Sequence, residues 1–148
     1  MVTIVDYEMG NVGSIQNMFK YIGVESKIES DPDKIRKASK ILLPGVGSFD
    51  TAMRKIKEKN LEEVLAEKAL KEQVPILGIC LGMQLLTSES EEGRLKGLGW
   101  IPAKTVSFKN RIDKRLKIPH MGWNIVKKSK ESSLTKGFEE FEEARFYF

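Results

Sequence analysis

One junction constrains the fold of this chain more than any other stretch. A short apolar run, residues 76–79, passes through the sequence Gly-Ile-Cys-Leu-Gly into a segment of helical character, residues 83–86. Glycines two positions before and two after the cysteine remove side chains that would clash with a neighbouring strand and helix in a tight turn. The pattern predicts a strand, a sharp turn and a helix, with Cys80, the single cysteine of the chain, at the turn.

A cysteine in this position is suited to be a nucleophile. The helix that follows turns its free backbone N–H groups and the positive end of its dipole towards the sulfur, and both favour the thiolate. The backbone N–H of Leu81 is expected to face an oxyanion. The alternative is that Cys80 is a small buried hydrophobic residue, which is the usual environment of a free cysteine.

Length and apolar patterning limit the class of protein. At 148 residues the chain is long enough for one domain with a hydrophobic core and too short for two. No apolar run approaches the roughly 18 residues of a membrane span, and residues 1–6 lack the features of a signal peptide. A single cysteine forms no internal disulfide and fits a reducing compartment. We therefore expect a soluble, cytoplasmic protein that does not associate with membranes.

Charge gives little support for a nucleic-acid partner or a metal site. The net charge is +4, but basic residues are interleaved with acidic ones. The densest basic tract, residues 109–117, contains no aromatic residue to stack on bases, and we interpret it as a solvated or partner-facing loop. The acidic run at residues 89–92 is expected to be solvated as well. The sequence therefore predicts no metal and no cofactor.

The pattern before the cysteine predicts an α/β fold. Short apolar runs alternate with segments of helical periodicity, which is typical of a mostly parallel sheet with helices on both faces. The predicted strands and helices cover residues 2–6, 12–22, 25–29, 32–37, 40–43 and 51–71, the last with a break near Asn60. After residue 99 the pattern changes to short β-type runs, residues 100–108 and 116–126. We interpret these as antiparallel strands added to one edge of the sheet in the C-terminal half.

A second candidate site element follows the third predicted strand. Residues 44–50 read Pro-Gly-Val-Gly-Ser-Phe-Asp, and glycines directly after a strand let backbone N–H groups approach a ligand closely. The loop lacks the lysine and hydroxyl residue of a phosphate-binding loop, and the alternative is a plain glycine turn. Doubly wound sheets bind ligands at the carboxyl ends of their strands. Both this loop and Cys80 are expected there, so we predict one shared site.

The single histidine lies in a third unusual segment. Residues 118–124 read Ile-Pro-His-Met-Gly-Trp-Asn and place His120, a tryptophan and an amide side chain around one glycine. His120 is a candidate base for Cys80, but a histidine in such a turn is more often a hydrogen-bonded structural or interface residue. The residues alone therefore identify no convincing base for the thiol.

Four motifs together resemble the triad-type, or class I, glutamine amidotransferases. They comprise residues 6–7 with 10–11, 44–49, 78–86 and 119–124. More narrowly, the chain resembles the glutaminase subunits of imidazole glycerol phosphate synthase, and the resemblance extends over residues 1–148. The fold that it implies is flavodoxin-like.

The resemblance implies a reaction and a partner. A cysteine thiolate attacks the side-chain amide of the substrate glutamine, and a γ-glutamyl thioester forms and is hydrolysed to glutamate. The ammonia passes to a (β/α)8-barrel cyclase, which forms a heterodimer with the glutaminase. The cyclase makes imidazole glycerol phosphate and AICAR in histidine biosynthesis.

The resemblance also assigns residues to roles. It implies that Cys80 is the nucleophile and that the N–H groups of Val46 and Leu81 form the oxyanion hole. Gly47 and Gln84 are implied to contact glutamine. The residues implied to face the cyclase are Asn11, Pro119, His120, Met121, Gly122, Trp123 and Asn124.

One part of the family pattern is not found in these residues. The family takes its catalytic base, and the residue that orients it, from a His-x-Glu pair shortly after a strand similar to residues 144–148, where the given sequence ends. We therefore expect residues 1–148 to be an amidotransferase domain truncated at its C-terminus. We expect it to hydrolyse glutamine poorly, because a triad without its base loses orders of magnitude in rate.

Three alternative functions stay open at this stage. Residues 93–101 are similar to paralogous subunits that supply ammonia for surface-polysaccharide amino-sugar synthesis, and the nucleophile motif does not separate the two. The second alternative is a catalytically inactive fragment that docks on the barrel through residues 120–124. The third is a different cysteine enzyme on a similar fold, such as a peptidase-like or chaperone-like relative, although residues 44–47 and Gln84 argue against it.

Overall fold

The structure, a computed structural model, describes residues 1–109, 111–113, 115–140 and 143–148. The chain divides into two compact units, Met1–Ser107 and Phe108–Phe148. That residues 1–148 form one amidotransferase domain, as the resemblance implies, stays a prediction. None of the helices in the described part of the chain has the length and apolar character that a bilayer crossing requires.

The first unit is built on a four-stranded parallel sheet. Its elements in chain order are β1 (Val2–Val5), α1 (Val12–Tyr21), β2 (Ser26–Glu29), α2 (Pro32–Ile35), β3 (Ile41–Leu43), α3 (Phe49–Glu58), α4 (Leu61–Ala66), a π-helical turn (Glu67–Lys71), β4 (Ile76–Gly78), α5 (Leu81–Leu85), β5 (Thr87–Ser90) and β6 (Ile101–Thr105). The strands and helices predicted before Cys80 are all present, so the α/β prediction is confirmed.

The strand order β2-β1-β3-β4 determines where a ligand can bind. The chain moves from β1 to β2 in one direction across the sheet and from β3 to β4 in the other. Right-handed crossovers place α1 on one face of the sheet and α3 with α4 on the opposite face. The loops after β1 and β3 diverge at this reversal, and open α/β sheets bind their ligands in the crevice that results.

The core of this unit follows from the apolar faces of its helices. The buried residues of α3 recur at helical spacing and are Phe49, Ala52, Met53 and Ile56. Ser48 caps α3 by accepting a hydrogen bond from the Thr51 N–H at 3.4 Å. Asn60 interrupts the helical segment where the sequence predicted a break, with a φ of 56°. α1 contributes no completely buried side chain.

The residues after α5 form a second sheet instead of extending the first. β5 and β6 pair in parallel, whereas the sequence led us to expect residues 100–108 as an antiparallel strand at the sheet edge and residues 89–92 as a solvated run. The physical reason is a long-range tether. The Asp50 carboxylate accepts hydrogen bonds from the Arg94 and Leu95 N–H groups at 2.8 and 3.0 Å, and the tethered loop returns the chain to the start of β5. Parallel pairing requires such a return.

The described residues of the second unit form one antiparallel strand pair and two single turns of 3-10 helix. The elements are β7 (Trp123–Ile125), Ser133–Thr135, Phe138–Glu140 and β8 (Arg145–Tyr147), and β7 pairs with β8. This pair confirms the antiparallel strands of the C-terminal half. The run predicted at residues 116–126 is a strand only at its end, since Pro119 has no N–H to donate to a ladder. No described side chain of this unit is buried.

Candidate active site

Cys80 occupies the sharp turn between β4 and α5. Its φ and ψ angles are 54° and −114°, a conformation that costs a non-glycine residue about 1–3 kcal/mol and that is found mostly at functional sites. A Cβ on Gly82 would lie 1.7 Å from the Leu43 carbonyl oxygen, and a Cβ on Gly78 would lie 2.7 Å from the Gly82 carbonyl oxygen. Only glycine fits at either position. The prediction that Cys80 lies at a strand-to-helix turn is confirmed. The cysteine is exposed, not the buried hydrophobic residue of the alternative interpretation.

The glycine loop after β3 lies beside this turn. Gly45 is buried, while Val46 and Gly47 are exposed. The Leu81 N–H donates a hydrogen bond to the Gly45 carbonyl at 3.3 Å, which joins the start of α5 to the loop. The two elements that the sequence assigned to one site are therefore adjacent, and the glycine loop, which follows β3, lies at the reversal point of the sheet.

The N–H of Leu81, expected to face an oxyanion, has a partner in this structure. Its distance of 3.3 Å to the Gly45 oxygen is long for an N–H···O hydrogen bond. A charged oxygen forms a shorter and stronger bond than a neutral carbonyl does. The existing bond is therefore one that an oxyanion can replace.

Tyr7 supports the glycine loop from the core, a role that the sequence reasoning missed. Its ring is buried, and its hydroxyl donates a hydrogen bond to the Pro44 carbonyl. Burial, and in second place the charge of Cys80, raise the pKa of Tyr7 far above its ordinary value. The hydroxyl therefore stays protonated. A tyrosine directly after a buried strand was the available signal.

Gln84 lies on α5, one helical turn after Cys80, and its amide is held at both ends. Its Nε2 donates to the Glu92 carboxylate at 3.0 Å, and its Oε1 accepts a hydrogen bond from the Ser90 hydroxyl at 3.0 Å. Ser90 is buried and also accepts the Glu92 N–H at 3.2 Å. The sequence reasoning missed Glu92 and placed it in a solvated run. Nothing in the run Glu-Ser-Glu-Glu distinguishes it from its acidic neighbours.

The part of the chain that the structure describes contains no cluster of three His, Cys, Asp or Glu residues able to hold a metal ion.

Asn11 follows the loop between β1 and α1 and caps α1. Its Oδ1 accepts a hydrogen bond from the Ser14 N–H at 3.1 Å, which satisfies one of the free donors at the helix start. The residue is exposed. A contact between Asn11 and a partner stays a prediction.

The other six residues that the sequence assigned to an interface lie in the second unit. They are Pro119, His120, Met121, Gly122, Trp123 and Asn124. His120 shares a hydrogen bond of 3.0 Å with the Asn124 side chain, and its ring packs against Phe148 with centroids 5.8 Å apart. Trp123 is 70% exposed and meets Tyr147 edge-on. His120 therefore has the hydrogen-bonded, structural environment that the sequence favoured over a catalytic one.

A comparison of the sequence with models of known protein families shows which family the chain belongs to. Residues 3–147 match the family described as "Glutamine amidotransferase class-I". The chain belongs to this family. The match covers the glycine loop, the Cys80 turn and Gln84, so the residues that form the site in the first unit all lie within the amidotransferase pattern.

Three relatives of this amidotransferase carry closely similar names. The protein from Methanococcus maripaludis, "Imidazole glycerol phosphate synthase subunit HisH 2", is 55% identical over 148 residues, which are 100% of this chain and 71% of that protein. The Pseudomonas aeruginosa protein of the same name is 41% identical, with 100% of this chain and 71% of that protein covered. "Imidazole glycerol phosphate synthase subunit HisH" from Bdellovibrio bacteriovorus is 44% identical, with 100% and 72% covered.

A solved structure supports the fold. The "Crystal structure of glutamine amidotransferase" superimposes with a TM-score of 0.60 over 72% of this chain and 56% of that chain. The sequences are 21% identical. The chain thus spans just over half of that solved protein, and the likeness shows a shared fold.

Proposed function

We propose that this amidotransferase is the glutaminase subunit of an imidazole glycerol phosphate synthase. It hydrolyses glutamine to glutamate and supplies ammonia to a partner subunit. The observation that carries the proposal is the exposed Cys80, held in a strained turn beside a glycine loop at the reversal point of the sheet. The names of relatives that are 55%, 41% and 44% identical support the choice of reaction.

The proposed chemistry proceeds through a thioester. The Cys80 thiolate attacks the carbonyl carbon of the glutamine side-chain amide, and the C=O electron pair moves to oxygen. Collapse of this tetrahedral intermediate breaks the C–N bond, and the nitrogen takes up a proton and leaves as ammonia. Water then attacks the γ-glutamyl thioester, which yields glutamate and returns the thiol.

Two backbone N–H groups are proposed to stabilise the oxyanion of both steps. Leu81 contributes the first N–H of α5, after its hydrogen bond to the Gly45 carbonyl is exchanged for one to the oxyanion. Val46 contributes the second, from the exposed part of the glycine loop. Donors aimed at a developing oxyanion are among the largest single contributions to catalysis, with losses of about 10²–10³ in kcat when one is removed.

Recognition of glutamine is proposed to involve Gly47, Gln84 and Glu92. Glutamine carries an α-ammonium group, and the Glu92 carboxylate, exposed beside Gln84, offers it a charged partner. Ser90 fixes the orientation of the Gln84 amide. Gly47, which has a φ of 111°, keeps the loop open to the substrate because it carries no side chain.

The proton transfers need a general base. The sequence contains one histidine, His120, and its ring is hydrogen-bonded to Asn124 within the second unit. We therefore expect residues 1–148 by themselves to hydrolyse glutamine slowly. Loss of the base in a nucleophile–base pair reduces kcat by about 10⁴ or more.

The partner is proposed to be a (β/α)8-barrel cyclase that binds in a heterodimer in the cytoplasm. The residues proposed to contact it are Asn11 in the first unit and residues 119–124 in the second. Met121 and Trp123 are 67% and 70% exposed, and interfaces are enriched in Met and Trp. A reducing cytoplasm would also keep the exposed Cys80 thiol free.

A glutaminase assay tests the proposal. Glutamate and ammonia are measured with residues 1–148, with a longer chain that supplies a His-x-Glu pair, and with each in the presence of the cyclase. We expect the longer chain with cyclase to be active and Cys80→Ser to lower its activity about 10⁴-fold or more. Activity that Cys80→Ser leaves unchanged would contradict the proposal.

A further inference from the structure

Glu8 is a strained residue that the proposed reaction does not use. It lies in the loop between β1 and α1 with a φ of 65°, in the left-handed region that costs a non-glycine residue about 1–2 kcal/mol. Its own N–H donates to the Asp6 carboxylate at 2.9 Å, which closes a tight turn. Glycine would adopt this conformation without strain, so the glutamate side chain must contribute something that offsets the cost.

The Glu8 carboxylate joins two lysines on the opposite side of the loop. Its Oε2 lies 2.7 Å from the Lys55 ammonium, and its Oε1 lies 2.8 Å from the Lys59 ammonium. Hydrogen bonds from Lys55 and Lys59 lower the pKa of Glu8 to about 2, and the hydrogen bond to Glu8 raises the pKa of Lys55. Single exposed pairs contribute little, but two that converge on one carboxylate define one geometry.

The two residues after Glu8 contact the glycine loop. A Cβ on Gly47 would lie 3.2 Å from the Met9 methyl carbon. A Cβ on Gly10 would lie 3.4 Å from Val46 Cγ2 and 3.5 Å from the Val46 nitrogen. The segment that carries the proposed oxyanion donor is therefore packed directly against Met9 and Gly10.

The same segment is attached to the lysine-bearing helix at its other end. α3 starts at Phe49, one residue after the cap Ser48, Lys55 lies nearly two turns further on, and Lys59 is the residue that ends the helix. The Val46–Gly47 segment is thus supported by α3 on one side and by Met9 with Gly10 on the other. Glu8 is the residue that ties these two supports together.

We infer that Glu8, bound to Lys55 and Lys59, is a positioning residue for the Val46 N–H of the oxyanion hole. This inference rests on the proposed function. Because an oxyanion donor acts only at the correct distance and angle, small displacements of the loop reduce catalysis. Glu8→Gln, which keeps the side-chain volume and removes the charge, is expected to lower reactivity towards a glutamine-like electrophile about tenfold.

Three variants separate the charge, the backbone strain and general stability. Glu8→Gln removes the charge and leaves the strained turn, whereas Glu8→Gly removes both the carboxylate and the strain. Glu67→Gln is the matched control, because it removes another exposed ion pair of the same unit, that with Arg36 at 3.2 Å.

Two measurements are made on each variant. Cys80 is labelled with a γ-electrophilic glutamine analogue and, in parallel, with iodoacetamide, which reports the thiol alone. NMR then measures the NOE between the Met9 methyl group and the Gly47 α-protons, which reports the loop contact without any chemistry.

The expected result is specific to Glu8. Both Glu8 variants lower the ratio of analogue labelling to iodoacetamide labelling about tenfold and lose the Met9–Gly47 NOE, while Glu67→Gln changes neither. Retention of the NOE in both Glu8 variants overturns the inference, and so does loss of the NOE with an unchanged labelling ratio. An equal effect in Glu67→Gln also overturns it, because the cause would then be general stability.

Failure of the proposed function gives a different result. In that case the wild-type chain shows no preference for the glutamine analogue over iodoacetamide, or it shows a preference that added glutamine does not remove. Retention of the NOE in the Glu8 variants would still overturn the role of Glu8 in holding the loop, and its loss would still support that role.

Discussion

The two units of the chain differ in how their structure is held together. In Met1–Ser107, side chains of the sheet and helices are completely buried, among them Ile4, Leu43, Phe49, Leu65 and Leu85. In the described part of Phe108–Phe148 no side chain is buried. Because apolar burial is the dominant favourable contribution to folding, the first unit has a core of its own. The described part of the second unit is held by one strand pair, ring contacts and exposed ion pairs.

This difference matches the division between chemistry and recognition that we propose. A nucleophile and its oxyanion donors must be held within fractions of an ångström, and Cys80 with the glycine loop belongs to the unit that has the core. Exposed apolar side chains are what a partner buries, and Met121 and Trp123 belong to the unit whose described side chains are not buried. We therefore expect substitutions in the first unit to affect stability and chemistry, and those in the second to affect binding.

The largest effect is expected from Gly82→Ala in the first unit. Its Cβ would lie 1.7 Å from the Leu43 carbonyl oxygen, so either β3 or α5 must move, at a cost of more than about 3 kcal/mol. Gly13→Ala is the control, since its nearest neighbour is an Asn11 oxygen at 3.5 Å and alanine favours the helix. Urea unfolding followed by circular dichroism measures both, and equal stability of the two variants would contradict the account of the turn.

A pair of truncations compares the two units directly. Leu85→Ala removes a fully buried side chain and is expected to lower the free energy of unfolding by about 2–5 kcal/mol. Trp123→Ala removes a side chain that is 70% exposed and is expected to change it by less than about 1 kcal/mol. The same Trp123 variant should weaken binding of the cyclase by about 2 kcal/mol, measured by calorimetry. Equal losses of stability would remove the distinction between the units.

Lys68 tests whether the core of the first unit depends on a polar group. The side chain is buried, and its ammonium group bonds to the Arg36 carbonyl at 2.8 Å and to the Glu72 carboxylate at 2.5 Å. Lys68→Met leaves that carbonyl without its donor, and we expect a loss of about 1–3 kcal/mol. The exposed neighbour offers a control, Lys71→Met, which should stay within about 0.5 kcal/mol of wild type. Thermal unfolding measures the stability of both variants. A Lys68→Met variant as stable as wild type would show that these hydrogen bonds make no net contribution to stability.

The smallest effect is an acid dependence in the first unit. The pKa of Glu8 is lowered from its usual 4.5 to about 2, so the folded state favours the ionised carboxylate. Its stabilising contribution is complete above pH 4.5 and is lost as the pH falls towards 2. The difference in unfolding free energy between wild type and Glu8→Gln should therefore disappear in this pH range. Urea unfolding at successive pH values measures it. A constant difference would mean that the lysine pairs do not act in solution.

The sequence predicted the first unit well because its signals are local. The apolar run before Cys80 and the helical spacing of residues 51–71 are patterns of neighbouring residues, and each determines one strand or one helical segment. Gly82 is also required by its contact with Leu43. The parallel pairing of β5 with β6 was missed because it depends on Asp50 holding residues more than 40 positions away. Glu92 was missed for a similar reason, since only the folded chain brings it to Gln84. The burial of Lys68 was not predicted either, because its partner on another segment, the Arg36 carbonyl, is brought to it only by the fold.

The most direct test of the account is to find which residue a glutamine analogue labels. The chain is treated with the γ-electrophilic analogue, with and without excess glutamine, and the modified peptide is identified by mass spectrometry. We predict a single label on Cys80 that excess glutamine prevents and that Cys80→Ser abolishes. A label on another residue, or labelling of Cys80 that glutamine does not slow, would contradict the assignment of Cys80 as a nucleophile for glutamine.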